Sequence, residues 1–150
     1  MRLIYSTISL LLLSLSFSII AQTTINNQAA KKKLMGTHNF NLHWLDEKQM
    51  GSVKITEKDG QLYIKGNQTI TSGDGINDSL NIEGTISQVN KRNFIFNGKI
   101  ITKVNHVAAG KDCVRQGKMT FRISGKRKYW RLKENRNPCS EVTDYVNIYF

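Results

Sequence analysis

The sequence predicts an all-β domain of about eight antiparallel strands, closed as an up-and-down barrel and stapled by one disulfide. Three observations carry this. From His38 onward, apolar residues recur at every second position, the period of a strand with one buried face. Clusters of Gly, Asn and Asp separate these runs, as turns do between hairpin-linked strands. Gly84 and Gly98 fall on the inward faces of neighbouring runs, where a missing side chain lets a sheet curl. The glycines favour a barrel over a two-sheet sandwich.

The elements follow in order. "HNFNLHWL" puts His38, Phe40, Leu42 and Trp44 on one face, and "SVKITE" does the same with Val53 and Ile55. "KDG" (Lys58 to Gly60) turns the chain into "QLYIKG", with Leu62 and Ile64 inward. "SGDG" (Ser72 to Gly75) breaks it before "SLNIEGTIS", whose inward face is Leu80, Ile82, Gly84 and Ile86. A polar turn at Asn90–Asn93 leads to "FIFNGKIITKV", with Phe94, Phe96, Gly98 and Ile100 inward. "NHVAAGKD" is a loop. "CVRQGKMTFRISG" then aligns Cys113, Met119, Phe121 and Ile123, with a bulge expected near Gly117. Gly125-Lys126 is a tight turn. Beyond it Trp130 and Leu132 face inward, while Arg127, Tyr129, Arg131 and Lys133 share the other face. "NRNPC" is a loop. "EVTDYVNIYF" alternates Val142, Asp144, Val146, Ile148 and Phe150 against Thr143, Tyr145, Asn147 and Tyr149. No helix is expected beyond a turn within Ala29–Met35.

Residues 1–21 read as a secretory signal: Arg2 gives a positive start, an apolar run is densest from Leu10 to Ile20, and Ala21 is a small residue before Gln22. This implies a secreted or periplasmic protein with no transmembrane helix after signal removal. The competing reading is an uncleaved anchor, since residues 3–20 are just long enough to span a bilayer. Residues 22–37 read as a polar leader and 38–150 as a single domain. From Gln22 onward, Leu, Ile, Val and Phe number 30, about 23%, enough for one thin core that wants help. Cys113 and Cys139 are the two cysteines, and in an oxidising compartment such a pair is more often a bridge than two free thiols. The closed loop of 27 residues is worth roughly 3–4 kcal/mol in the chain-entropy model.

The charge is lopsided. Residues 22–90 carry seven Lys and seven acids, whereas residues 91–150 carry fourteen Lys or Arg against four acids. That field favours an anionic partner without naming one. No nucleophile elbow, phosphate-cradling glycine loop or zinc-protease helix occurs. His38 and His43 are five apart and point to opposite faces of a strand, and His106 is in a loop. Asp74 and Asp78 loosely suggest a calcium loop, but the acidic residue that should close it is absent, so a plain turn is expected. The sequence therefore predicts a non-enzymatic binding module with no catalytic residue, cofactor or metal. An enzyme with an unrecognised site is kept as an alternative.

The basic cluster in "GKRKYWRLKENRNPC" supports three readings. Alternation makes it the solvent face of a hairpin. Arg122, Arg127 and Arg131, with Lys133, could converge on a phosphate or carboxylate, for which the forked guanidinium is suited. A basic face with an exposed aromatic could also track single-stranded nucleic acid, the least available of these ligands to an exported protein. Expected partners are an anionic lipid, a polysaccharide or a small ligand, including an apolar one in a barrel mouth. Asp144 lies on the apolar face of the last strand, where a carboxylate is costly unless paired, which predicts a basic partner from the nearby hairpin. The terminal Phe150 with Ile148 and Val146 also resembles the end of an outer-membrane barrel. Such a barrel is a second functional alternative, although spanning strands need about 9–11 residues and several here look shorter.

Cys113-Val114-Arg115 and Gly117, then Gly125 to Leu132, Asn137-Pro138-Cys139 and Thr143-Asp144-Tyr145-Val146, together resemble the C-terminal part of small secreted bacterial proteins with no characterised role. The likeness spans about a quarter of the chain. It implies that this tail is one unit whose two cysteines belong together, and it implies no activity. More loosely, the architecture is similar to lipocalin-like barrels and to the barrel-shaped lysozyme inhibitors of bacterial envelopes. A strongly basic chain would repel a basic lysozyme on approach.

Overall fold

A computed structural model describes Ile19 and residues 21–150. The signal segment therefore lies almost wholly outside the described residues. The chain forms a closed barrel of eight antiparallel strands: β2 (Gly36–Leu42), β3 (Gly51–Lys58), β4 (Gln61–Thr69), β5 (Ser79–Val89), β6 (Asn93–Lys103), β7 (Cys113–Arg122), β8 (Tyr129–Leu132) and β9 (Val146–Tyr149). Each pairs with its successor, and β9 pairs with β2 to close the ring. This is the up-and-down order the sequence predicts. The wall is uneven: β5 and β6 have 11 residues each, β8 and β9 only 4.

Alternation fills the interior. Phe40, Phe94, Phe96, Phe121, Leu62, Ile64 and their neighbours are essentially fully buried. Phe94 stacks on Phe121 at 5.1 Å between centroids, and Phe96 meets Phe121 edge-on at 6.2 Å. Burying each such side chain contributes roughly 1.5–3 kcal/mol. The outward residues at mid-height are charged or polar, among them Lys54, Lys65, Glu83, Lys99 and Lys118. That polarity is opposite to the apolar outside and polar inside of a membrane-spanning barrel.

The curl comes from a glycine row. Gly84 lies opposite Gly98, and Gly98 opposite Gly117. A Cβ on Gly98 would meet the Glu83 carbonyl oxygen and come within 2.7 Å of the Phe96 ring. Phe96 thus occupies the space the missing side chains leave, the aromatic cover that rescues glycines in a curved sheet. The ladder runs unbroken through Gly117. The irregularity is instead in β5, between Ile86 and Gln88, where the strand runs past β4 and meets the short strand β1 (Thr24–Ile25).

Residues 22–37, read as a polar leader, are held against the barrel. β1 (Thr24–Ile25) runs parallel to the end of β5. Helix α1 (Gln28–Leu34) follows, capped by Asn27, whose side chain accepts from the Ala30 N–H at 2.8 Å. α1 covers one end of the barrel, burying Leu34 to 1% exposure. The short turns after β3, β5 and β7 lie at that end, as does Phe150, whose N–H donates to Lys128. The long connections 43–50, 70–78, 104–112 and 133–145 all lie at the other end. They interlock: Gln49 donates to the Ser72 carbonyl, the Asn105 N–H to Asp78, and His106 packs edge-on against Trp44.

Gly98→Val should lower the unfolding free energy by about 2–3 kcal/mol, because an overpacked site forces backbone and side-chain shifts. A denaturant melt within about 0.5 kcal/mol of the parent would contradict the glycine-row account.

Candidate functional site

The outer wall over β7, β8, β9 and β2 gathers the basic cluster. On β8, Trp130 and Leu132 are buried while Tyr129 and Arg131 face outward. Strand pairing sets Arg131 opposite Arg122 on β7 and Asn147 on β9. The Arg131 Nε donates to Asn147 Oδ1 at 2.8 Å. Its guanidinium lies 4.2 Å from the Tyr145 ring centre and 5.1 Å from that of Tyr129. Arg127 stands over the same Tyr129 at 5.7 Å, and Tyr129 and Tyr149 are 5.3 Å apart. Each such contact at a partly exposed site is worth about 0.5–1 kcal/mol.

Arg122, Arg127, Arg131 and Lys133 thus share one patch, with Lys133 at its loop-end edge. None is in an ion pair among the described residues. Two like charges directly opposite on neighbouring strands repel. The aromatic faces relieve part of this for Arg131, and an anion would relieve the rest.

A polar layer lies under the patch. Asn41 and Asn147 face outward yet are 1% and 3% exposed. They are direct partners across the β2–β9 seam. Asn147 Nδ2 donates to Asn41 Oδ1 at 3.1 Å, and the Tyr149 hydroxyl donates to the same oxygen at 3.2 Å. His43 continues the row. Its N–H donates to the Tyr145 carbonyl, and its Nδ1 accepts from the Tyr145 N–H at 3.0 Å. Burial holds the His43 pKa below its ordinary 6.5, Asp144 opposes that shift and Arg131 adds to it. The neutral ring is therefore the folded form. The stability it contributes is complete above pH 6.5 and is lost as pH falls through the lowered value.

The wall is fixed from behind by Asp144, which is 1% exposed. Its Oδ1 accepts from Trp44 Nε1 at 3.0 Å. Its Oδ2 accepts from Arg115 Nη2 at 2.7 Å and Asn137 Nδ2 at 2.9 Å. Arg115, 7% exposed, also donates to the carbonyls of Glu134 and Arg136. The Cys113–Cys139 disulfide, with 5.9 Å between Cα atoms, closes over the same loop.

The expected basic partner of Asp144 thus exists, but it is Arg115 and none of Arg122, Arg127, Arg131 and Lys133 of the basic hairpin. The hairpin's basic residues face outward or lie at the far end, whereas Arg115 points inward at the loop end. The strand itself begins after Asp144, at Val146. A signal for Arg115 was present: it has the parity of Cys113, Met119 and Phe121, and an inward arginine on a buried face needs a carboxylate. Tyr145 and Tyr149 were visible as the outward face of the last run. The burial of Asn41 and Asn147 was not. Among the described residues, no group of three or more His, Cys, Asp or Glu is placed to hold a metal ion.

Residues 22–150 match the sequence model of the PM1083 family. The chain belongs to the PM1083 family. A Pasteurella multocida (strain Pm70) protein, named only as uncharacterized protein PM1083, is 40% identical over 120 residues, which is 80% of this chain and 75% of that one. No solved structure matches. The match covers the whole barrel, in a bacterial family whose name carries no activity.

Removing one partner of a buried pair strands the other charge. Asp144→Asn should therefore cost about 3–5 kcal/mol by chemical denaturation, and Arg115→Met/Asp144→Leu together should cost less than Asp144→Asn alone. A single variant as stable as the parent would contradict the pairing account.

Proposed function

We propose that the protein is an exported, non-enzymatic binding module that holds an anionic group of an envelope component on the outer wall around Arg131. One observation carries this reading: the Arg131 guanidinium lies against the rings of Tyr145 and Tyr129, its Nε is committed to Asn147, and among the described residues it has no carboxylate partner. The fork is oriented before any ligand arrives, which lowers the ordering cost of binding. Flanking tyrosine faces suit the apolar side of a sugar ring, so an acidic oligosaccharide fits the wall better than a bare ion.

Other features support the same reading. The interior is filled with Phe, Ile and Leu side chains, which turns attention from a ligand in the barrel mouth to the outer surface. Both oxygens of Asp144 serve structural hydrogen bonds, which takes a buried carboxylate out of the pool of acid–base groups. A single disulfide suits an oxidising compartment, in keeping with the leader read from residues 1–21.

The test is an NMR titration with an oligogalacturonate, with inorganic phosphate in parallel. Shifts should centre on Arg131 Nε and the rings of Tyr129 and Tyr145, with the oligosaccharide binding more tightly. Arg127→Glu/Arg131→Glu should weaken binding by at least about a hundredfold, each charge-assisted contact being worth roughly 1.5–3 kcal/mol. Binding unchanged in that double variant would overturn the proposal.

A further inference from the structure

We infer that the helix-covered end of the barrel is a docking surface for a bilayer carrying anionic headgroups. It is a site distinct from the Arg131 wall.

The argument starts from the distribution of charge along the barrel axis. The folded order sends the short turns and α1 to one end and the long loops to the other. α1 contributes Lys31, Lys32 and Lys33 to the first end, and the turns after β5 and β7 add Lys91, Arg92, Lys126 and Lys128. With Lys58 this makes eight cationic residues outside the Arg131 patch, against Glu57 and Asp59. Glu57 is already paired with Lys31 at 2.7 Å. The loop end lacks this excess: connections 43–50, 70–78, 104–112 and 133–145, with Lys103 at the end of β6 and the Arg115 paired to Asp144, hold eight acids and six Lys or Arg. A negatively charged plane therefore attracts one end far more than the other, which orients the molecule as well as binding it.

A further feature, the relief of that end, selects a bilayer over a soluble polyanion. A hollow of about 290 Å³ between α1 and the turn after β5 is lined by Lys33, Lys91 and Arg92 together with Ala30, Ile123 and Trp130. A second hollow of about 600 Å³ is lined by Lys33, His38, Tyr149 and Phe150. Lys33 lines both and stands 4.4 Å over the Phe150 ring. Linings that mix cationic with apolar side chains match a phosphate headgroup together with its glycerol and upper acyl carbons. Arg92 also donates to the carbonyls of Ile123 and Gly125, which ties the two turns into one face.

Co-sedimentation of the protein as its cell produces it, with phosphatidylglycerol–phosphatidylcholine vesicles and with pure phosphatidylcholine vesicles, tests this. Binding should require the anionic lipid and weaken with added salt. Lys32→Glu/Lys91→Glu/Lys126→Glu should reduce partitioning by at least about a hundredfold, given roughly fivefold per cationic residue at a membrane surface. Lys54→Glu/Lys111→Glu/Lys118→Glu makes the same change in net charge on the barrel wall and at the loop end and should stay within about threefold of the parent. All six positions are exposed, so both variants should melt like the parent. Equal loss in the two triple variants would overturn the inference, as would equal binding to neutral vesicles or binding to heparin with none to anionic vesicles. Arg131→Glu should leave vesicle binding intact, so failure at the wall and failure at the helix end are read separately.

Discussion

A barrel holds together only if its last strand keeps hold of its first, and here that seam is short. β9 has four residues and pairs with β2 at three register positions, Phe40 with Ile148, Asn41 with Asn147 and Leu42 with Val146. Preceding β8 is equally short. Strands of this length carry little pairing energy of their own and lean on what flanks them. At one end the flank is Asp144, tied at once to β7 through Arg115, to the loop after β2 through Trp44, and to its own loop through Asn137. The disulfide fixes that loop to the start of β7. At the other end Phe150 packs on Trp130 at 4.4 Å and Leu34 of α1 closes over the core. The two ends together substitute for the ladder that β8 and β9 lack.

The same seam builds the outer wall. Because Asn147 must sit opposite Asn41, Tyr145 and Tyr149 flank it on the outward face, and Arg131 of β8 falls between aromatic rings. A buried amide pair and an oriented guanidinium are thus by-products of the closure. Where β9 sits decides both whether the barrel closes and whether the wall has a shape. The charge on the two barrel ends is set at the next level up, by which connections are short and which are long.

Much of this was legible in the residues. Period-two alternation located the strands, and Gly84 with Gly98 announced the curl. Two lone cysteines behind an apolar leader announced the bridge. The hidden parts share one physical property, which is dependence on contacts far apart in the chain. Asp144 and Arg115 are 29 residues apart, and nothing local tells an inward carboxylate from a solvated one. Asn41 and Asn147 look like ordinary outward residues until Tyr149 and Arg131 close over them. Helix α1 spans only seven residues, too few to be stable alone, and exists because the barrel end buries Leu34. The axial charge separation appears only once the meander has sorted turns from loops.

If the short strands are held by the Cys139–Asp144 loop and not by their own pairing, loosening that loop must open a defined part of the molecule. Native-state amide hydrogen exchange with the disulfide reduced tests this most directly. Every amide that exchanges through global unfolding should accelerate by the roughly 3–4 kcal/mol of lost chain constraint, about a hundredfold or more. The amides of β8, β9 and the facing residues Phe40–Leu42 should accelerate further still, by local opening. Uniform acceleration around the whole barrel, or none in β9, would contradict it.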